Sequence, residues 1–228
     1  MALNSRRLYL FDIDGTLITS GGAGSGAMRA AFAALWRRDD GFSNIEFSGR
    51  TDRWLFRQAH AGCGFEDAAF PADLQRFKRA YRRRLHQTLR SCEGRVLPGV
   101  VNVLERLAED GDATLALGTG NFRSTAAVKL GYYNLAHYFR AGGFGDDTDD
   151  RAELIGNARR AAERLSGRHD TVFVIGDTVH DVSAAKANGF VAVAVATGVA
   201  DTETLSAAGA DVVLPTLESA AELLARHD

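Results

Sequence analysis

A chain of 228 residues that is 46% hydrophobic and holds three prolines can bury a large core, as one domain or a domain with an insertion, and is not a disordered protein. Its formal net charge of −2 argues against a nucleic-acid partner. The apolar run behind Arg6-Arg7 is broken by Asp12 and Asp14, so it reads as neither signal peptide nor membrane span, and Cys63 and Cys92 have no metal-ligand spacing; a soluble cytoplasmic protein is the expectation.

The first predicted element is a short strand, Leu8-Tyr9-Leu10-Phe11, ending in Asp12-Ile13-Asp14-Gly15-Thr16-Leu17. Two aspartates at i and i+2 on extended backbone point to one side, and like charges held that close require a cation between them or a retained proton. The glycine-rich stretch from Gly21 to Gly26 then reads as a hinge. A helix is expected from about Ser25, a second around Trp54-Leu55, with Ser48-Gly49-Arg50-Thr51-Asp52 as its capping loop, and a third from Pro71 to about Leu89. Residues 19–95 therefore read as wholly helical. They are also basic, with 14 Lys+Arg against 8 Asp+Glu, while the remainder of the chain is acidic.

From Pro98-Gly99 helices and strands alternate. Strands are expected at Ala113–Leu117, near Arg140-Ala141, at Thr171–Ile175, Val191–Ala196 and Asp211–Leu214, with helices between them and a final helix at the end. The pattern predicts an α/β fold, a Rossmann-like parallel sheet between helices. Its domains are expected to be a core of residues 1–18 and 96–228 and an inserted helical cap of residues 19–95.

Ligands bind beyond the carboxyl ends of the strands in such a sheet. Three predicted strands end in polar candidates: Asp12 and Asp14; Thr119-Gly120-Asn121; and Gly176-Asp177-Thr178-Val179-His180-Asp181. Asp177 and Asp181 are four residues apart, a helical turn that would let them face one way. Clustered carboxylates suit a hard divalent cation such as Mg2+. The Thr119 hydroxyl and nearby backbone N–H groups can donate to an anion, and Arg151 is the best-placed cation outside residues 19–95.

These three motifs, in this order, resemble the haloacid dehalogenase superfamily, over nearly the whole chain. Ala187-Asn188-Gly189 and Ala196-Thr197-Gly198 are also similar to that family's tail. In the family's phosphatase branch, typified by phosphoglycolate phosphatases, the resemblance implies Asp12 as nucleophile, forming an aspartyl-phosphate, and Asp14 as acid–base. It further implies Mg2+ on the carboxylates of Asp12 and Asp177 and the backbone C=O of Asp14, with Asp181 orienting or ligating. Thr119 with the Gly120 and Asn121 N–H groups would hold the phosphoryl oxygens. The family's usual lysine between the second and third motifs is missing, since no lysine lies between Lys129 and Lys186, and Arg151 stands in about its place.

Arg50 is the candidate substrate contact from the cap; the competing role for that loop is a helix cap by Thr51 or Asp52. The basic run Arg76, Lys78, Arg79, Arg82, Arg83 and Arg84 is expected to be a solvated helix face. The expected function is a Mg2+-dependent phosphatase acting on a small phosphorylated metabolite. The alternatives are a phosphomutase similar to β-phosphoglucomutase, and a phospho-ligand binding protein without catalysis. A dehalogenase is disfavoured because its chemistry needs neither Mg2+ nor the acid at Asp14.

Overall fold

The structure, a computed structural model, describes residues 5–146 and 148–220. The chain opens with β1 (Arg7–Phe11) and the two-residue β2 (Ile18–Thr19), runs through α1 (Ala23–Trp36), α2 (Asp52–Gly62) and α3 (Phe70–Thr88), and re-enters at β3 (Arg95–Val96). Alternation follows: α4 (Val100–Glu109), β4 (Ala113–Thr119), α5 (Arg123–Tyr132), β5 (Gly142–Phe144), α6 (Arg151–Ser166) and β6 (Thr171–Gly176). The chain continues through α7 (Val179–Ala187), β7 (Val191–Val195), α8 (Thr202–Ala207) and β8 (Val212–Leu214).

The main sheet is parallel, in the order β5-β4-β1-β6-β7-β8. It is the Rossmann-like α/β architecture expected. β1 is buried throughout because side chains on its two faces enter different cores. Tyr9 and Phe11 pack with Val103 and Leu107 of α4, and Tyr9 stacks on Phe173 with ring centroids 4.9 Å apart. Leu8 and Leu10 pack with Leu154 and Ile155 of α6. Phe11 lies opposite Leu117 on one side and Ile175 on the other, which brings the carboxyl ends of β1, β4 and β6 level. Strand order reverses beside β1, so the crevice beyond its end is where this topology binds ligands.

The helices α1, α2 and α3 share a second, aromatic core in which Phe56 stacks on Phe77 at 4.4 Å and Phe32 packs edge-on against Phe42, and which also takes in Phe122 and Val128 at α5. Polar contacts join this layer to the loops above the sheet. The Asp52 N–H donates to the Gly120 carbonyl (2.7 Å), Arg57 Nε donates to Asp149 (2.7 Å), and Lys78 pairs with Asp146. Lys78 therefore departs from the expected solvated face, whereas Arg79, Arg82, Arg83 and Arg84 are exposed as expected.

Two sequence expectations need correction. Residues 19–95 are not wholly helical at their ends: Thr19 pairs with Arg95 and Ile18 with Val96, a minimal antiparallel ribbon too short to leave a periodic signal. The strand expected near Arg140-Ala141 is displaced to Gly142–Phe144, because Gly142 and Gly143 let the strand approach β4 and α6, where a Cβ at Gly143 would meet the Leu154 carbonyl and Ala158. The expected final helix lies mostly outside the described residues. No helix among the described residues is long and apolar enough to cross a membrane.

Candidate active site

Asp12 follows β1 directly, and its N–H donates to the Ile175 carbonyl (2.9 Å), which fixes its carboxylate at the sheet's edge. The turn behind it requires a glycine. Gly15 has φ +83°, and a Cβ there would run into the Asp177 carboxylate. That close approach lets Thr16 Oγ1 donate to Asp177 Oδ1 (3.1 Å) and Thr197 Oγ1 donate to the Gly15 carbonyl (2.6 Å).

Asp177 and Asp181 do converge, but not across a helical turn. Asp177 belongs to the connection after β6, Thr178 is the N-cap of α7, and Asp181 is the acid of a capping box in its first turn. The carboxylates meet because the chain changes from strand to helix between them. Oxygens of Asp12, Asp177 and Asp181 all lie within 4.8 Å of one another, and all three residues are buried.

Arg151, the first residue of α6, enters this cluster. Its Nε and Nη2 donate to Asp181 Oδ1 (2.9 and 2.5 Å), and Nη2 lies 3.1 Å from Asp12 Oδ1. Burial works against its charge, but Asp181 and Asp12 hold the guanidinium firmly protonated. Burial also pushes the Asp12 and Asp177 carboxyls well above the ordinary carboxylate range. Asp181 and Asp14 reinforce the rise at Asp12, Asp181 and Asp12 reinforce it at Asp177, and Arg151 opposes both.

Asp14 turns to different partners. Its Oδ2 accepts from Lys129 Nζ (2.5 Å) and from Asn121 Nδ2 (2.8 Å), and Lys129 also donates to Asn121 Oδ1 (2.7 Å). The two aspartates that seemed crowded in sequence are thus separated by their cations, Arg151 for Asp12 and Lys129 for Asp14.

Thr119 is wholly buried and does not line the cavity. Its hydroxyl accepts from the side chain of Asn121 (2.9 Å) and from its N–H (3.3 Å), because Thr119 is still the last residue of β4 while Gly120 and Asn121 have left the sheet and face the crevice. Arg50 is exposed at the cavity rim, 4.6 Å over the Trp54 ring, while Thr51 caps α2 by accepting from the Trp54 N–H (3.1 Å).

Two participants were not anticipated. Lys129 is 3% exposed, although a lone lysine in Ala126-Ala127-Val128-Lys129-Leu130 reads as the solvated edge of a helix. The available signal was its spacing, four residues after Thr125 on the buried face of α5. Asp52 is also buried, and its Oδ2 accepts from the Phe122 N–H (2.8 Å) and Thr125 Oγ1 (3.2 Å). Burial pushes its carboxyl up to about 6, with Lys129 and the Phe122 N–H pulling the other way.

Asp12, Asp14, Lys129, Arg151 and Asp177 line one cavity of about 320 Å³, walled on the opposite side by Met28, Leu55 and Tyr81 from α1, α2 and α3. That volume is at the lower end for small-molecule pockets. The donor set is oxygen only, the chemistry of a hard divalent cation. Asp181 has both oxygens engaged, one by Arg151 and the other by the Thr178 N–H and hydroxyl, so Asp12 and Asp177 offer the freer ligand atoms.

A family model described as haloacid dehalogenase-like hydrolase matches residues 7–189, which include every motif at the strand ends. The chain belongs to that family. Among curated proteins, this haloacid dehalogenase-like hydrolase is 28% identical over 219 residues to "Probable phosphatase IndB" of Dickeya dadantii, covering 92% of this chain and 89% of that one. It is 32% identical over 190 residues to phosphoglycolate phosphatase 1 of Pseudomonas aeruginosa, covering 80% and 66%. Among solved structures, a hydrolase from Pseudomonas syringae superposes with TM-score 0.67 at 23% identity, covering 98% and 100% of the two chains. CbbY from Rhodobacter sphaeroides, solved with phosphate, superposes with TM-score 0.68 at 18% identity, covering 94% and 95%. At those identities the two structures establish the shared fold.

Proposed function

We propose that this haloacid dehalogenase-like hydrolase is a Mg2+-dependent phosphatase acting on a small phosphorylated metabolite, with residues 19–95 as a cap over a core of residues 1–18 and 96–228. The observation that carries the reading is the separation of Asp12 from Asp14: one carboxylate in a buried acidic cluster with Arg151, the other facing the same cavity with Lys129 and Asn121. The curated relatives named as phosphatases support the same class of reaction.

Asp12 attacks phosphorus through a carboxylate oxygen while the ester P–O bond breaks, giving an aspartyl-phosphate. Asp14 gives its proton to the departing oxygen, then takes one from the water that attacks the aspartyl-phosphate and releases inorganic phosphate. Asp12 and Asp177 would hold Mg2+ with the Asp14 carbonyl, while Asp181 orients Arg151. The bound cation would neutralise charge on the phosphoryl oxygens. Arg151 supplies the charge that the family's lysine would carry, and its fork serves Asp12 and Asp181 together. Gly120 and Asn121 border the phosphoryl position, and Thr119 steadies them from beneath. Arg50 lies at the entrance as a substrate contact.

The test is release of phosphate from an aryl phosphate with and without Mg2+, alongside a sugar-phosphate isomerisation assay. Turnover that depends on Mg2+ and on Asp12 supports the phosphatase; isomerisation without phosphate release would replace it with a phosphomutase.

A further inference from the structure

A run of cations on one helix is usually a solvated face, but the cations of α3 fall on two sides. Lys78, Arg82 and His86 recur every four residues, about 6 Å apart along the helix axis, and Arg90 continues the row just past the helix end. All four border a groove of about 690 Å³ between α3 and α5, whereas Arg79, Arg83 and Arg84 do not. The facing wall is a small-residue face of α5, Ser124, Ala127, Val128 and Gly131, with the half-exposed Tyr132 ring beside them.

Like charges one helical turn apart repel and work against the helix unless an anion lies between them. The groove has one acid among the described residues, Asp146, and it is already used: one oxygen pairs with Lys78 and the other accepts from the Arg123 N–H (2.5 Å). The Arg123 guanidinium lies 4.1 Å over the Phe144 ring. Among the described residues, Arg82, His86 and Arg90 have neither an acidic partner nor a side-chain hydrogen bond. The groove shares no residue with the cavity that contains Asp12; Tyr81 and Lys129 leave the same two helices on the other side.

The volume is that of a small-molecule site. An apolar ligand would leave the row of cations unmatched, and a peptide's backbone would find no free partners on helix walls whose own backbone groups are paired. A single phosphate is too short to follow the row. A chain of phosphoryl groups meets its cations in succession, each through a charge-assisted contact, and the small side chains of α5 leave room beside it. Tyr132 adds a flat face on which a base can stack.

We propose that this groove is a second ligand site, for a small molecule carrying a chain of two or more phosphoryl groups. Such a site does not depend on the phosphatase reading, and it is measured without turnover.

The test is calorimetric titration of the whole chain with tripolyphosphate, ATP and inorganic phosphate, in EDTA without Mg2+ and at about 0.1 M salt, where distant charges are screened. Tripolyphosphate and ATP should bind at one site, and inorganic phosphate at least about tenfold more weakly, for want of a further charged contact. Replacing the groove pair, Arg82→Gln with Arg90→Gln, should weaken tripolyphosphate binding at least about tenfold. Arg79→Gln with Arg83→Gln removes the same charge outside the groove and should change it by less than about threefold. All four side chains are exposed, so both variants should melt as the wild type does. Tighter binding of ATP, with the gain lost in Tyr132→Ala, supports the site with a nucleotide as occupant; equal binding supports it with the phosphate chain alone. No binding to the wild type, no loss in the groove pair, equal loss in the two pairs, or phosphate binding as tightly as tripolyphosphate would overturn it.

Discussion

Replacing Asp177 by asparagine should make the metal-free protein more stable. Burial, with Asp181 and Asp12 close by, raises the Asp177 carboxyl from 3.8 to about 8, so at neutral pH the fold holds a group that resists ionisation there and ionises freely in the unfolded chain. Each pH unit of that span is about 1.4 kcal/mol. Half of it, the part left after the asparagine gives up the attraction of Arg151 while still accepting from Thr16, is about 3 kcal/mol. For a chain of this length that corresponds to a rise in Tm of roughly 6–12 °C. The sign with pH follows from proton uptake: between pH 4 and 8 the folded wild type binds more protons than the unfolded chain, so its stability falls as pH rises and the variant's advantage grows. The assay is thermal unfolding of both proteins in EDTA at pH 5, 6.5 and 8. A second scan with Mg2+ should stabilise the wild type and leave Asp177→Asn unmoved. An asparagine variant that melts at or below the wild type at pH 8 in EDTA would refute the reasoning, because the carboxylate would then be an asset to the empty fold.

Other expectations follow from the same geometry. Asp14→Asn should lower steady-state hydrolysis by about 10²- to 10⁴-fold; with an activated aryl phosphate, whose leaving group needs no acid, it should still release a burst of aryl alcohol before stalling, and a near-normal steady rate would remove Asp14 from acid–base work. Arg151→Met leaves Asp12 and Asp181 facing each other without their cation, so stability should fall by about 3–5 kcal/mol in chemical unfolding, with Arg151→Lys recovering part of the loss but not the forked contact. Asp52→Ala leaves the Phe122 N–H and Thr125 hydroxyl without their shared acceptor, costing about 1–3 kcal/mol. Asp52→Asn retains an acceptor and sheds a carboxyl raised to about 6. Its stability relative to wild type, from chemical unfolding, should therefore improve as pH rises from 4 to 6 and hold constant above.

The parts of the site legible in the sequence were those fixed by backbone position. Asp12, Asp177 and Gly120 each follow a strand whose apolar residues mark its end, and a parallel sheet brings those ends together whatever the side chains do. Arg151 was legible for the same reason, as the first residue of a helix after Asp149-Asp150. What the sequence hid depends on side-chain direction across layers. Lys129 is four residues beyond Thr125 on a helix of mixed composition, and its direction is set by Asp14, which is 115 positions away. Asp52 looks like a helix-capping acid until the Phe122 N–H is found on its oxygen. Thr119 shows the opposite case: its hydroxyl lies beneath the cavity floor because the strand continues two residues beyond Leu117, the end of its apolar run.

The central claim is that Asp12 carries the phosphoryl group in a covalent intermediate. The most direct measurement is mass spectrometry of the acid-quenched Asp14→Asn protein after mixing with Mg2+ and an aryl phosphate, with the peptide containing Asp12 sequenced. One phosphoryl group on Asp12, absent when Asp12 is replaced by asparagine, is the predicted result. An aryl alcohol burst with no modified peptide, or a phosphoryl group on another residue, would contradict it.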